Sequence, residues 1–291
     1  MKHIYITFYL LLFGYTMSQA QQELQLSNDR FTLLQFNPAH AGIHQDDAYA
    51  SAYLSYRNQW LGFEGSPKTY SLLTDYLIED YNIGLGLSLF SDNIGLDSKL
   101  EVAGNYSYRI NLNEGFLNIG IRTAFSSFGS EFGKVRNVEA GDIYDQADAR
   151  LSLFSVGAGI MYHSENLRIG ISVPSIAVFA NAENSRFKER HIYFHASTKL
   201  GDPGDFIRLE PTLLFKYQQA VPIQAKIGLI GWINESITPG MHYRWDDALV
   251  FSLGWLLDDR LQLGLAYDFT LSKLRLVSDN SFEVQLGYRF L

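Results

Sequence analysis

The residues of this 291-residue sequence whose types and spacing could do chemistry are few. His191 and His195 fall on one face of a predicted strand. Four residues of extended chain separate them by about 13 Å, too far for two ligands of one zinc ion. Asp142, Asp145 and Asp148 lie in a long loop, and their spacing is not that of an EF-hand, so a solvated acidic loop is the reading. His163-Ser164 falls in a predicted periplasmic turn, and no Ser-His-acid arrangement can be argued from it. Gly84-x-Gly86 and Gly157-x-Gly159 sit inside strands and lack the strand-to-helix context of a phosphate loop, so close packing explains them. The expectation is no catalytic residue, no metal, no cofactor, and no enzyme. With 23 Lys and Arg against 31 Asp and Glu, net charge −8, the chain offers no basic face for a nucleic acid partner.

The elements that must position any functional side chain are strands. From Leu261, the residues Leu261, Leu263, Leu265, Tyr267 and Phe269 alternate with Gln262, Gly264, Ala266, Asp268 and Thr270. Near the end, Phe282, Val284, Leu286, Tyr288 and Phe290 alternate with Glu283, Gln285, Gly287 and Arg289. Such a period of two marks a strand with one apolar and one polar face. About fourteen segments of this kind are predicted, beginning near Tyr49, Lys68, Tyr81, Ser98, Gly115, Leu151, Asn166, Arg190, Phe206, Val221, Ser236, Asp247, Arg260 and Ser281. Many are long enough to cross a bilayer, whereas soluble strands run about five or six residues. Eighteen Tyr, 20 Phe and 24 Gly with seven Pro suit strands girdled by aromatic residues.

The predicted connections alternate. Odd-numbered ones are 61–67, 92–97, 129–150, 174–189, 218–220, 245–246 and 271–280, and even-numbered ones are 79–80, 112–114, 163–165, 201–205, 232–235 and 257–259. The longer set lies on one side, as in a bacterial barrel with long outer loops and short periplasmic turns. Lys2, the apolar stretch 4–13 and Ser18-Gln19-Ala20 read as a signal peptide cleaved after Ala20. The whole chain has no Cys, so neither a lipid-anchored N-terminus nor a disulfide framework is expected. The predicted architecture is an all-β, transmembrane, antiparallel up-and-down barrel. Residues 1–20 are the signal peptide, 21–48 a periplasmic N-terminal segment and 49–291 the barrel, in the outer membrane of a Gram-negative cell with both termini periplasmic. Pro211 cannot donate to a ladder and predicts a bulge or kink; were its segment a loop, twelve strands would remain.

Closure gives the alternation a direction, because unpaired backbone groups are costly in lipid. Leu117, Ile119, Ile121 and Phe125 should face lipid, and Asn118, Gly120, Arg122 and Ala124 the lumen. Glu101, Arg109, Arg122, Arg168, Arg208, Glu210, Lys216, Lys226, Asp268, Glu283 and Arg289 all take polar-face positions. They predict a paired network partly filling the lumen, or a wet channel. The placement of 21–48, inside the barrel or against periplasmic components, stays open.

Two further clusters stand out: Asn37-Pro38-Ala39-His40-Ala41-Gly42, and Tyr56-Arg57-Asn58-Gln59-Trp60-Leu61-Gly62-Phe63-Glu64-Gly65-Ser66-Pro67-Lys68-Thr69. At these residues the sequence resembles the PorP/SprF family of type IX secretion outer-membrane proteins, whose pattern is roughly NPAYAG followed by YRNQW-x-GF-x-GAP-x-T. His40 replaces the family's Tyr, and Ser66 its Ala. A weaker match runs from Glu210-Pro211-Thr212 through Lys216-Tyr217 to Pro222-Ile223-Gln224. The resemblance implies a barrel that works with type IX secretion components, as core part or dedicated partner, to deliver or hold a large surface adhesin. A passive porin is the rival reading, and a secreted soluble β-protein a third. The loops 129–150, 174–189 and 271–280 would be the partner surface.

Overall fold

The computed structural model describes residues 26–28, 31–44, 48–131, 149–180, 190–219, 221–272, 275 and 280–291. The segment 1–20 predicted as a signal peptide, Asp142, Asp145, Asp148 and most of the three loops expected to meet partners lie outside them. Fourteen strands form a closed antiparallel barrel in sequence order: β1 Ala50–Asn58, β2 Lys68–Ile78, β3 Ile83–Ile94, β4 Asp97–Leu112, β5 Gly115–Ser130, β6 Ala149–His163, β7 Leu167–Ala180, β8 His191–Thr198, β9 Ile207–Gln218, β10 Gln224–Ile233, β11 Ile237–Arg244, β12 Ala248–Leu256, β13 Leu261–Thr270 and β14 Ser281–Phe290. β14 zips onto β1 from Ala50↔Phe290 to Asn58↔Phe282, so no edge is left at the seam.

The alternation holds along the strands apart from the second half of β7. On β5, Ile121 is 52% exposed and Arg122 only 3%. The outward side chains are apolar, and their aromatic members gather toward the two ends, Tyr56 against Tyr70 and Phe282 at one, Tyr49 against Tyr76 and Tyr288 against Phe290 at the other. That is the placement of aromatic belts at two membrane interfaces.

Four sequence readings need correction. The predicted loop 92–97 shrinks to 95–96, because Asp92, Asn93 and Ile94 pair with Asp97, Ser98 and Lys99. Polar residues there read as a loop, but β4 and β5 run 16 residues each, longer than the apolar band, and carry polar ends past it. β7 extends to Ala180 and so contains Pro174; the chain bulges there, opposite Gly157, with a register shift between Val156 and Ala158. A Cβ at Gly157 would collide with the Pro174 carbonyl. Pro211 makes no bulge: it pairs in register with Leu229 of β10. On its other side the β8–β9 ladder stops at Ser197↔Thr212 and resumes at Leu200↔Leu209, so the missing N–H falls in a gap. Finally, β10 starts at Gln224 instead of Val221. The loop asymmetry is also weaker than predicted, since 95–96 is as short as an even-numbered turn and the even-numbered connection 199–206 is longer than the predicted 201–205.

Candidate functional site

The lumen holds the chain's own N-terminal segment. Residues 33–36 form a short helix α1 (Leu33–Phe36), followed by a 3-10 turn, Pro38–His40. Asn37 caps that turn, its Oδ1 accepting from Ala39 N–H at 2.9 Å, and Pro38 takes the first position, where no N–H is needed. Gly42, at φ 73°, turns the chain away. Glycines on the inner wall form the floor: a Cβ at Gly84 would strike the Ala41 carbonyl, and one at Gly120 the Ala39 backbone. Ala39 and Ala41 are fully buried, and Leu34 packs with Ala41 and Leu73. Phe31 and Phe36 meet the wall rings of Tyr53 and Tyr193 at 5.3 and 5.0 Å.

Polar side chains of the wall bind both ends of this plug. Toward the even-numbered turns, Ser107 Oγ donates to the Ala41 carbonyl at 2.7 Å and Arg109 to the Gly42 carbonyl at 2.8 Å. Asp75 accepts from Gly42 N–H at 2.9 Å and from Ser51, and faces His44 Nε2 at 3.0 Å. Further up, Ser172 donates to the Phe36 carbonyl at 2.8 Å and Asn37 Nδ2 to the Ile160 carbonyl at 3.2 Å. Toward the odd-numbered connections, everything converges on Ser27. Its hydroxyl donates to Asp268 at 2.6 Å and accepts from Arg57 and, at 3.3 Å, from Arg244. Its N–H donates to Glu283 at 2.7 Å, and its carbonyl accepts from Lys226. Arg57, 1% exposed, also pairs with Asp268 at 2.7 Å and Glu283 at 3.5 Å. The described chain therefore begins near one end of the lumen, whereas Phe290 ends at the other.

The remaining lumen charges form separate clusters. Arg122 pairs with Glu101 at 2.5 Å, which also takes Lys99 at 3.0 Å and Ser126 at 2.9 Å. Glu210 accepts from Arg168 at 3.2 Å and Trp232 Nε1 at 2.8 Å. Lys216 and Lys226 line a small cavity with Leu26, and Arg289 is buried on the inner wall. His191 and His195 share the inner face of β8, as their spacing predicts; His191 Nε2 meets Gln218 at 2.8 Å, and His195 lies against Gly170. Sequence reasoning missed Ser27, Asp75, Arg244, Lys199 and Trp232. All but Ser27 and Lys199 lie on polar faces of their strands, which was the available signal. Ser27 has none, because no periodicity surrounds it.

His40 sits in the plug with its Nδ1 shut from solvent, although the residue as a whole is only half-buried. Burial, opposed by Asp75, pushes its pKa down to about 3. The imidazole is thus neutral at ordinary pH.

The second cluster, 56–69, builds the β1–β2 connection over the closure seam. Tyr56 faces outward between Tyr70 and Phe282, while Arg57 points into the lumen. Asn58 accepts from Ser66 at 3.3 Å, and Gln59 N–H donates to the Pro67 carbonyl at 2.9 Å. Trp60 N–H donates to Ser281 Oγ at 3.1 Å and Leu61 N–H to the Asn280 carbonyl at 2.9 Å, stitching the loop to β14. Gly62 and Gly65 take φ of 81° and 77°, conformations that a side chain would strain. The Gly65 carbonyl accepts from Gly95 N–H, Pro67 is buried, Thr69 donates to Asp92 at 2.6 Å, and Phe63 is left half exposed.

A closed, lipid-faced barrel filled by its own N-terminal segment defines an outer-membrane β-barrel protein. Solved structures share the fold. Omp33 of Acinetobacter baumannii is 6% identical, over 84% of this chain and 98% of that one, with a TM-score of 0.51. The TodX deltaS2S3 mutant, a monoaromatic hydrocarbon channel, is 12% identical over 88% and 92%, with a TM-score of 0.52. A Pseudomonas aeruginosa FadL homologue is 12% identical over 88% and 93%, with a TM-score of 0.50. No curated protein sequence matches. The family pattern described as "Type IX secretion system membrane protein PorP/SprF" matches residues 18–288, and the chain belongs to that family.

Proposed function

We propose that this type IX secretion barrel is a non-catalytic, non-conducting partner that helps export a large adhesin-type cargo or hold it at the cell surface. The observation that carries the reading is the occupied lumen in a chain of this family: residues 26–28 and 31–44 fill the space a solute would use, and wall glycines and charges are fitted to them. In this reading the even-numbered turns and the C-terminus face the periplasm, and the odd-numbered connections, with the seam loop carrying Trp60 and Phe63, face outward toward cargo. The other type IX components are the partners on the inner side.

Deleting the gene and assaying surface display of an adhesin encoded beside it tests the role; the expected result is lost display, and unchanged display and secretion would remove the idea. The porin alternative draws on neighbours that are channels. Planar bilayers separate the two, since steady conductance by the intact protein favours the porin.

A further inference from the structure

Below the plug, at the mouth formed by the even-numbered turns, lies a cavity of about 780 Å³. That volume is within the usual range of ligand pockets. Its roof is Ile43 and His44 of the plug, and its walls include Leu77 and Phe116. Four cations line it, Arg109, Arg168, Lys199 and Arg208, together with the carboxylates Glu79, Glu165 and Glu235. Two have carboxylate partners, Arg168 with Glu210 at 3.2 Å and Arg208 with Glu235 at 3.0 Å. The other two are held differently. Arg109 donates to the Gly42 carbonyl and lies 4.9 Å over the Phe116 ring, and Lys199 lies 4.0 Å over the Trp232 ring. Among the described residues neither forms a salt bridge.

Arg208, its side chain only 6% exposed, is already committed, Nη1 to Glu235 at 3.0 Å and Nη2 to Asn166 at 2.7 Å, which leaves Arg109 and Lys199 as the lining cations without a carboxylate partner among the described residues. Guanidinium groups present a planar fork suited to carboxylates. Burial, then neighbouring Arg168, lowers the Lys199 ammonium pKa, against Glu210 and Glu235, which raise it. The mouth is acidic: Glu79 and Glu165 of the lining are exposed, as are Asp80, Glu114, Asp202 and Asp205 in the even-numbered turns.

We propose that this cavity is a receptor site for a carboxylate-ended peptide segment, presented by a partner whose basic residues meet the acidic rim. A free anion would have to cross the rim against its charge, whereas a peptide with basic residues behind an acidic end matches both layers. The apolar walls accept its side chains. The proposal stands apart from the export reading, because the cavity and its charges would be the same in a barrel with no cargo.

The test is calorimetric titration of the full mature protein in detergent with three probes. One is a hexapeptide with two lysines preceding a C-terminal glutamate; the second is the same peptide with glutamine and a C-terminal amide; the third is inorganic phosphate. The acidic-ended peptide is expected to bind at least about tenfold more tightly than the neutralised one, the effect of losing charge-assisted contacts. Lys199→Gln, and Arg109→Gln with it, should erase that difference while heat-modifiable gel mobility confirms a folded barrel. Should Arg109→Gln fail to fold, Lys199→Gln alone carries the test, because Lys199 lies outside the strands. Equal binding of both peptides, no binding of either, phosphate binding as tightly as the acidic peptide, or indifference to Lys199→Gln would each overturn the proposal.

Discussion

Replacing Ser27 by Ala perturbs the plug without touching the barrel wall. The Ser27 hydroxyl donates to Asp268 at 2.6 Å and accepts from Arg57 and Arg244. Hydrogen bonds to charged groups are each worth about 1.5–3 kcal/mol. The wall charges stay paired with one another, Arg57 to Asp268 at 2.7 Å and Arg244 to Asp268 at 3.2 Å, so the loss stays near the figure for one bond. The Ser27 N–H and carbonyl also keep Glu283 and Lys226. A net loss of about 1.5–3 kcal/mol raises the undocked fraction about ten- to hundredfold. The chain has no Cys, so Leu34→Cys, at a site 5% exposed, gives a clean reporter. Its reaction rate with a thiol reagent should rise by that factor in Ser27→Ala. An unchanged rate in a folded barrel would refute the view that this polar node holds the plug.

Three further outcomes follow from the geometry. His40 has a folded pKa of about 3 against 6.5 unfolded, so its contribution is complete above pH 6.5 and is lost as pH falls toward 3. Plug docking should weaken by about 1–2 kcal/mol at pH 5, read as faster Leu34→Cys labelling, and His40→Gln should flatten the profile. Asp75, His44, His195 and Arg168 surround the same ring, and persistence of the profile in His40→Gln would assign it to them instead. Gly84→Ala puts a methyl group against the Ala41 carbonyl and should destabilise docking by about 1–3 kcal/mol, whereas Gly104→Ala, which meets only ordinary contact, should not. Ile121→Lys, on the outer face of β5, should lower stability in phospholipid vesicles by about 2–4 kcal/mol in urea unfolding; no loss would contradict a lipid-facing position.

The barrel was legible in the sequence because its signal repeats: Leu263-Gln262-type alternation survives any local irregularity, and most predicted strand starts fall within two residues of the observed ones. Misreadings gathered where polarity and pairing part company. Asp92 and Asn93 look like a loop but lie beyond the hydrocarbon zone, where a ladder needs no apolar face. Pro174 looks like the end of β7, yet a bulge opposite Gly157 absorbs it. The plug was illegible for another reason. Its residues have no face exposed to lipid and no period, and their fit is written in the wall instead, in Gly84, Gly86, Gly120 and Gly159. Arg57 stood out as a motif residue, but its partner Ser27 could be found only in three dimensions.

The account rests on residues 31–44 filling the barrel, and an engineered cross-link tests that most directly. Leu34→Cys with Gly86→Cys places two thiols where the Leu34 side chain meets the inner wall. Mild oxidation of the folded protein should join them in high yield, while Leu34→Cys with Leu87→Cys, which faces outward, should give none. Failure of the first pair to link in a folded barrel, or equal linkage of both, would contradict a plugged lumen.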